Sequence, residues 1–140
     1  MTIHTDTAWI LFSAGVIFMT ALLLGVVKWQ KMVTSPTGRA HPYIDTAHRA
    51  ALLYSFATGL IAAFVELSDW PAAVNLTAAG AMVLLFLVTI ANYTRLGLQG
   101  VTENQMHNPP RSMQGMLAVL VLGEIGGFLV LLCGFASAQL

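Results

Sequence analysis

His48 and Arg49 stand at the head of an apolar run, Ala50-Ala51-Leu52-Leu53 and onward, in a chain with only four histidines, six Asp or Glu and six Lys or Arg. A neutral imidazole at such a place could ligate a haem iron or act as an acid or base. The alternative is an interfacial histidine touching lipid headgroups. His41 lies seven residues earlier in a Pro-containing stretch, and His107 lies within Glu-Asn-Gln-Met-His-Asn-Pro-Pro. Neither forms a His-x-x-x-His spacing with His48, so zinc is poorly supported. His4 belongs to the N-terminal tail. Glu124 is the other group placed for chemistry, because it interrupts the apolar run from Met113 to Leu132. It lies about 16 Å into that run at 1.5 Å per residue, near a bilayer midplane. There it could be an acid, a proton relay or a cofactor neighbour, or a neutral carboxyl hydrogen-bonded between helices. Phosphate-loop, Rossmann and Gly-x-Ser-x-Gly patterns are absent. Two glycosylation sequons, at Asn75 and Asn92, fall in or beside apolar runs.

The elements that must position these groups follow from composition. The chain has 140 residues, of which 57% are hydrophobic and 9% charged, with a mean hydropathy of +0.77. A soluble domain carries about 25% charged residues. So few charges exclude a soluble or disordered chain, and six Lys or Arg against six Asp or Glu argue against nucleic-acid binding. Cys133 is the single cysteine, which excludes a disulfide scaffold. A membrane-spanning helix needs about 20 apolar residues. Four segments qualify, about 8–27, 47–65, 72–91 and 113–132. Segments of alternating polarity, which would mark a β-barrel, are missing. The expected fold is an all-α, integral membrane four-helix bundle, a single transmembrane domain over residues 1–140. Lys28 and Lys31 follow the first apolar core and no positive charge precedes it, so the first segment reads as a retained helix and not a signal peptide.

All six basic residues lie in two places: Lys28, Lys31, Arg39 and Arg49 between spans one and two, Arg95 and Arg111 between spans three and four. Both connections are therefore expected in the cytoplasm, with both termini outside. Trp9 and Trp70 then mark the outer interface, and Trp29 and Tyr93 the inner one. The short turn Glu66–Pro71 predicts a tight hairpin of spans two and three, with Ser68 or Asp69 as a helix cap. The cytoplasmic connections are expected to be about twenty residues each, by the spans' limits.

At about 100° per residue, His48, Ser55, Gly59, Ala62 and Glu66 share one helix face. That face is polar at its ends and small in the middle, suited to close approach of a helix or of a flat cofactor. Span three has a comparable stripe of Asn75, Met82, Phe86, Thr89 and Tyr93, with Asn92 pointing elsewhere. Gly123 and Gly127 form a small-xxx-small pair. The seven methionines are scattered and read as packing.

Four spans in about 140 residues, with Ala47-His48 opening span two, Ala91-Asn92-Tyr93 closing span three and Asn104-Gln105 beyond it, resemble a group of small membrane isomerases. The group contains the styrene oxide isomerases and the hydroxylaminobenzene mutases, and the resemblance covers roughly Arg39 to Pro110. It implies haem b bound by the matching histidine, His48, between neighbouring subunits of a homotrimer. Ferric iron there acts as a Lewis acid on an epoxide oxygen. The ring opens to a benzylic cation, a hydride shifts and an aldehyde forms. The mutases instead move a hydroxyl from nitrogen to an aromatic carbon. Carried over, His48 is the iron ligand, Ser55 and Gly59 lie beside the cofactor on its helix face, and Asn92, Tyr93 and Tyr54 are the candidate substrate-handling residues. The chain departs from the isomerases at three positions. Tyr54 stands for an asparagine, Val88 for an aspartate and Leu96 for a tyrosine, while Ala-Asn-aromatic sits closer to the mutases.

The leading expectation is thus a haem-dependent isomerase of the cell inner membrane, acting on a small apolar aromatic substrate that arrives from the lipid bilayer. Its rival is a non-catalytic membrane protein, either a haem-carrying anchor or a small subunit of a larger complex. A proton-coupled transporter using Glu124 is a third reading, weakened by the lack of an inverted repeat.

Overall fold

A computed structural model describes residues 2–140. It contains four helices: α1 (Thr5–Thr34), α2 (Pro42–Glu66), α3 (Ala72–Gln99) and α4 (Arg111–Gln139). There is no strand among the described residues. Each helix is long and apolar enough to cross a membrane, so the chain is an all-helical, multi-pass membrane protein.

The helices outrun the apolar segments that announce them. α1 continues past Val27 over Lys28 and Lys31 and stops at Ser35, before Pro36 disfavours further helical backbone. Lys31 lies in its last turn, where a cation suits the helix dipole. α2 begins at Pro42, whose fixed φ and missing N–H suit a first helical position. His41 caps it, Nδ1 accepting the Tyr43 backbone N–H at 3.2 Å. α3 ends at Gly100, which takes the left-handed conformation with φ 63°. The two basic connections therefore shrink to residues 35–41 and 100–110, well short of the expected twenty. Polar residues stay helical once a helix has been nucleated. His48 is accordingly in the second turn of α2 and does not open it. The expected side-chain cap of α3 is also corrected. Its N-cap is Pro71 with no side-chain cap, and the Ser68 hydroxyl accepts the Trp70 N–H at 3.1 Å.

α2 and α3 form the central antiparallel hairpin. α1 packs against both, mainly α2, and α4 packs against both from the opposite flank; α1 and α4 do not touch. The stripe foreseen on α3 is its packed face: Asn75, Met82, Phe86 and Thr89 are buried. At the end that carries the basic connections α2 and α3 come close at Gly97, where a β-carbon would fall 2.6 Å from the Ile44 backbone nitrogen. At the other end the 66–71 turn ties down α4. Trp70 Nε1 donates to the Val130 carbonyl at 2.8 Å, and Gln139 Nε2 to the Leu67 carbonyl at 3.1 Å. Gly127 packs beside Met82, as its small-residue spacing suggested. Only Leu131 and Gly134 of α4 are buried, so its N-terminal half stands away from the hairpin and leaves a cleft.

The basic connections predict that residue 37 is cytoplasmic and residue 140 external. In a Cys133→Ser background, Thr37→Cys should resist a membrane-impermeant maleimide in intact spheroplasts, and Leu140→Cys should react. The reverse pattern would invert the bundle and put the cleft on the outer face.

Candidate functional site

His48 projects from α2 onto α1. Its Nδ1 lies 2.9 Å from the Ala21 carbonyl. A carbonyl only accepts, so Nδ1 carries the proton and, in the neutral ring, the lone pair is on Nε2. Gly25 makes room for the ring, because a β-carbon there would sit 3.1 Å from Cε1 of His48. Helix backbone one turn along thus becomes an imidazole seat. Asp45, three residues before His48, is engaged elsewhere: it pairs with Lys28 across the α1–α2 seam and with Arg49 at 3.7 Å. Ser55 is buried on the same side of α2, its hydroxyl donating to the Leu52 carbonyl at 2.6 Å. Gly59 has open space where a side chain would be. At the far end of the stripe Glu66 accepts the His4 backbone N–H at 3.2 Å. The stripe of His48 and Glu66 is thus the surface that meets α1.

Asn92 and Tyr93 belong to a different space. They line a cavity of about 340 Å³ in the cleft between α3 and the N-terminal half of α4, bordered by the 100–110 connection. The size suits a small ligand. Its polar wall is a connected network. Arg95 Nη2 donates to Asn92 Oδ1 at 3.1 Å, and Asn92 Nδ2 donates to Gln105 Oε1 at 3.0 Å. The Gln105 backbone N–H donates to the Tyr43 hydroxyl at 2.8 Å. Tyr43 in turn stacks on Tyr93, with ring centroids 5.7 Å apart, and His41 stacks on Tyr43 at 6.0 Å. Met106, Met113, Met116, Leu117 and Leu120 form the apolar wall.

Tyr54 does not line this cavity. It stacks flat on Phe86, centroids 4.2 Å apart, one layer deeper in the hairpin. Its hydroxyl lies near Thr89 and within electrostatic reach of Glu124 and Tyr93. Glu124 is half-buried on α4, and the ion pairs of the described residues leave it without a cation. His107 is exposed in the 100–110 connection. No group of three His, Cys, Asp or Glu among the described residues could hold a bare metal ion.

The structure therefore brings Asn92 and Tyr93 together, adds Gln105 and Arg95 to them, and sets His48 apart on the α1 side. Sequence reasoning missed Ala21 and Gly25, which sit inside an unbroken apolar run, and Tyr43 and Arg95, which carry no spacing signal. Three of the seven methionines, read as scattered packing, converge on the one cavity.

Four membrane helices with a paired polar and apolar cavity define a small multi-pass membrane protein with an interior site. Compared with family models, with curated proteins and with solved structures, the chain matches none.

Proposed function

We propose that the protein is an isomerase of the cell inner membrane that rearranges a small apolar aromatic substrate without net redox change, and that it uses haem b held by His48. The observation that supports this best is the His48 seat. The Ala21 carbonyl fixes the tautomer and ring orientation, as backbone acceptors do for metal-ligating histidines, and so leaves the Nε2 lone pair for iron. His48, held by the Ala21 carbonyl, is the residue that would hold the haem iron, from a rigid helix. Bound there, ferric haem would supply a Lewis acid able to polarise a substrate oxygen. The chain's own residues do the rest. A lipid-soluble substrate enters the α3–α4 cleft, and the methionine and leucine wall excludes water from its ring. Asn92 and Tyr93 supply hydrogen bonds to its polar atom. Because His48 does not line the cavity that Asn92 and Tyr93 line, the homotrimer implied by the resemblance is part of the proposal: one protomer's His48 serves its neighbour's cavity.

A second reading has one observation behind it. The His48–Ala21 bond joins α2 to α1, which is also what a purely structural histidine in a membrane anchor would do. Visible absorption of the protein in mild detergent separates the two. The isomerase reading expects a Soret band, present on purification or after haem supplementation. A protein that stays colourless after supplementation overturns the haem assignment and leaves His48 as a link between helices.

A further inference from the structure

The hydrogen-bond network in the α3–α4 cavity has a direction. Arg95 has only donors, so the Asn92 oxygen must face it. Asn92 then presents its amide nitrogen to Gln105, whose oxygen must face Asn92. The ambiguity of two amide orientations is thereby removed by one guanidinium. Each amide oxygen already accepts one bond, and the NH₂ of Gln105 is the group left with no partner. No carboxylate lines the cavity among the described residues. Thr89 also lines the cavity, with its hydroxyl beside that of Tyr54. The lining also holds the hydroxyls of Tyr93 and Ser112 and three methionines, whose sulfurs favour aromatic ring edges.

We infer that this cavity selects uncharged aromatic molecules that carry an oxygen acceptor, with the Gln105 amide as the specificity-determining donor and Arg95 as the residue that holds it in that orientation. The inference rests on the reading of the cleft as the substrate site and not on haem. A ligand oxygen accepts from Gln105 Nε2 while its ring lies among Tyr93, Met113 and Met116. A ligand whose polar group only donates leaves the Gln105 NH₂ unpaired, which is the basis for discrimination.

The test uses the full chain in lipid nanodiscs and ¹⁹F NMR titration with 4-fluoroacetophenone, 4-fluoroaniline and 4-fluorotoluene, each corrected for partitioning into empty nanodiscs. Fluoroacetophenone should bind about tenfold tighter than fluorotoluene, the scale of one hydrogen bond, and fluoroaniline should gain nothing. Gln105→Glu keeps the oxygen that Asn92 donates to and replaces the free NH₂ by oxygen. It should abolish the acetophenone preference and create one for fluoroaniline, an inversion that loss of structure would not produce. Arg95→Leu frees the amides to turn and should bring the acceptor and donor probes towards equal affinity. Equal binding of all three probes by the native chain, or an unchanged preference in Gln105→Glu, overturns the inference while leaving the cleft as a binding site. No binding above empty nanodiscs overturns both. Haem content, measured on the same samples, reports on the His48 reading separately.

Discussion

His48→Ala is expected to reduce bound haem to background in the pyridine haemochrome assay, with the protein still eluting as a folded assembly. The replaced side chain would remove both the Nε2 ligand and the Nδ1 hydrogen bond to the Ala21 carbonyl. His41→Ala and His107→Ala should retain haem. His41 is used as the cap of α2, accepting from Tyr43, and His107 lies exposed in the 100–110 connection. Loss of the cap should cost stability of about 0.5–2 kcal/mol and no cofactor. Gly25→Val is the companion test, because it leaves the histidine in place and removes its seat. A β-carbon at 3.1 Å from Cε1 forces the ring to turn, and the added methyls of valine leave it nowhere to return. Haem affinity should fall on the order of 10–100-fold, the usual effect of losing a group that orients a ligand. Full haem occupancy in His48→Ala would remove the assignment and most of the proposed function.

Gly97→Val should produce the largest loss of stability of any single glycine replacement at the end of the bundle that carries the basic connections. The obstacle there is backbone: a β-carbon would meet the Ile44 nitrogen at 2.6 Å and Ile44 Cγ1 at 2.8 Å. A side chain could rotate away, but the first full turn of α2 cannot. Overpacking of this kind costs about 1–3 kcal/mol. The strain would also reach the cleft, since Tyr43 precedes Ile44 and carries both the stack on Tyr93 and the bond from Gln105. The expected result is an earlier unfolding midpoint in detergent and weaker probe binding. Gly59→Ala is the control. Nothing lies within 4 Å of the added carbon, so its midpoint should stay or rise slightly. A native midpoint in Gly97→Val would mean that α2 and α3 do not cross there.

Number of helices and membrane residence were readable from the residues alone. A bilayer demands about 20 apolar residues per helix and satisfied backbone groups throughout, so composition and length decide the matter before any packing does. The packed stripe on α3 was readable too, since helical period places Asn75, Met82, Phe86 and Thr89 on one side whatever their partners. Helix ends were not. Lys28, Asp45 and Arg95 are polar, but each lies on a helix that has run out of the membrane and has no reason to stop.

The candidate site divides along the same line. His48, Asn92 and Tyr93 were identifiable because a polar residue at the edge of an apolar run is conspicuous. Their surroundings were decided only by tertiary structure. Ala21 and Gly25 gain a role because α2 happens to lie across that turn of α1, and a backbone carbonyl has no signature in the sequence. Gln105 becomes a donor because Arg95, ten residues earlier, faces Asn92 and orients both amides. The separation of His48 from Asn92 was likewise invisible. Equal depth in the membrane follows from counting residues, whereas the face that each helix turns to its neighbour depends on which neighbour is there. In this fold α1 covers the histidine side of α2, while α4 stands off the asparagine side of α3 and leaves the cavity open.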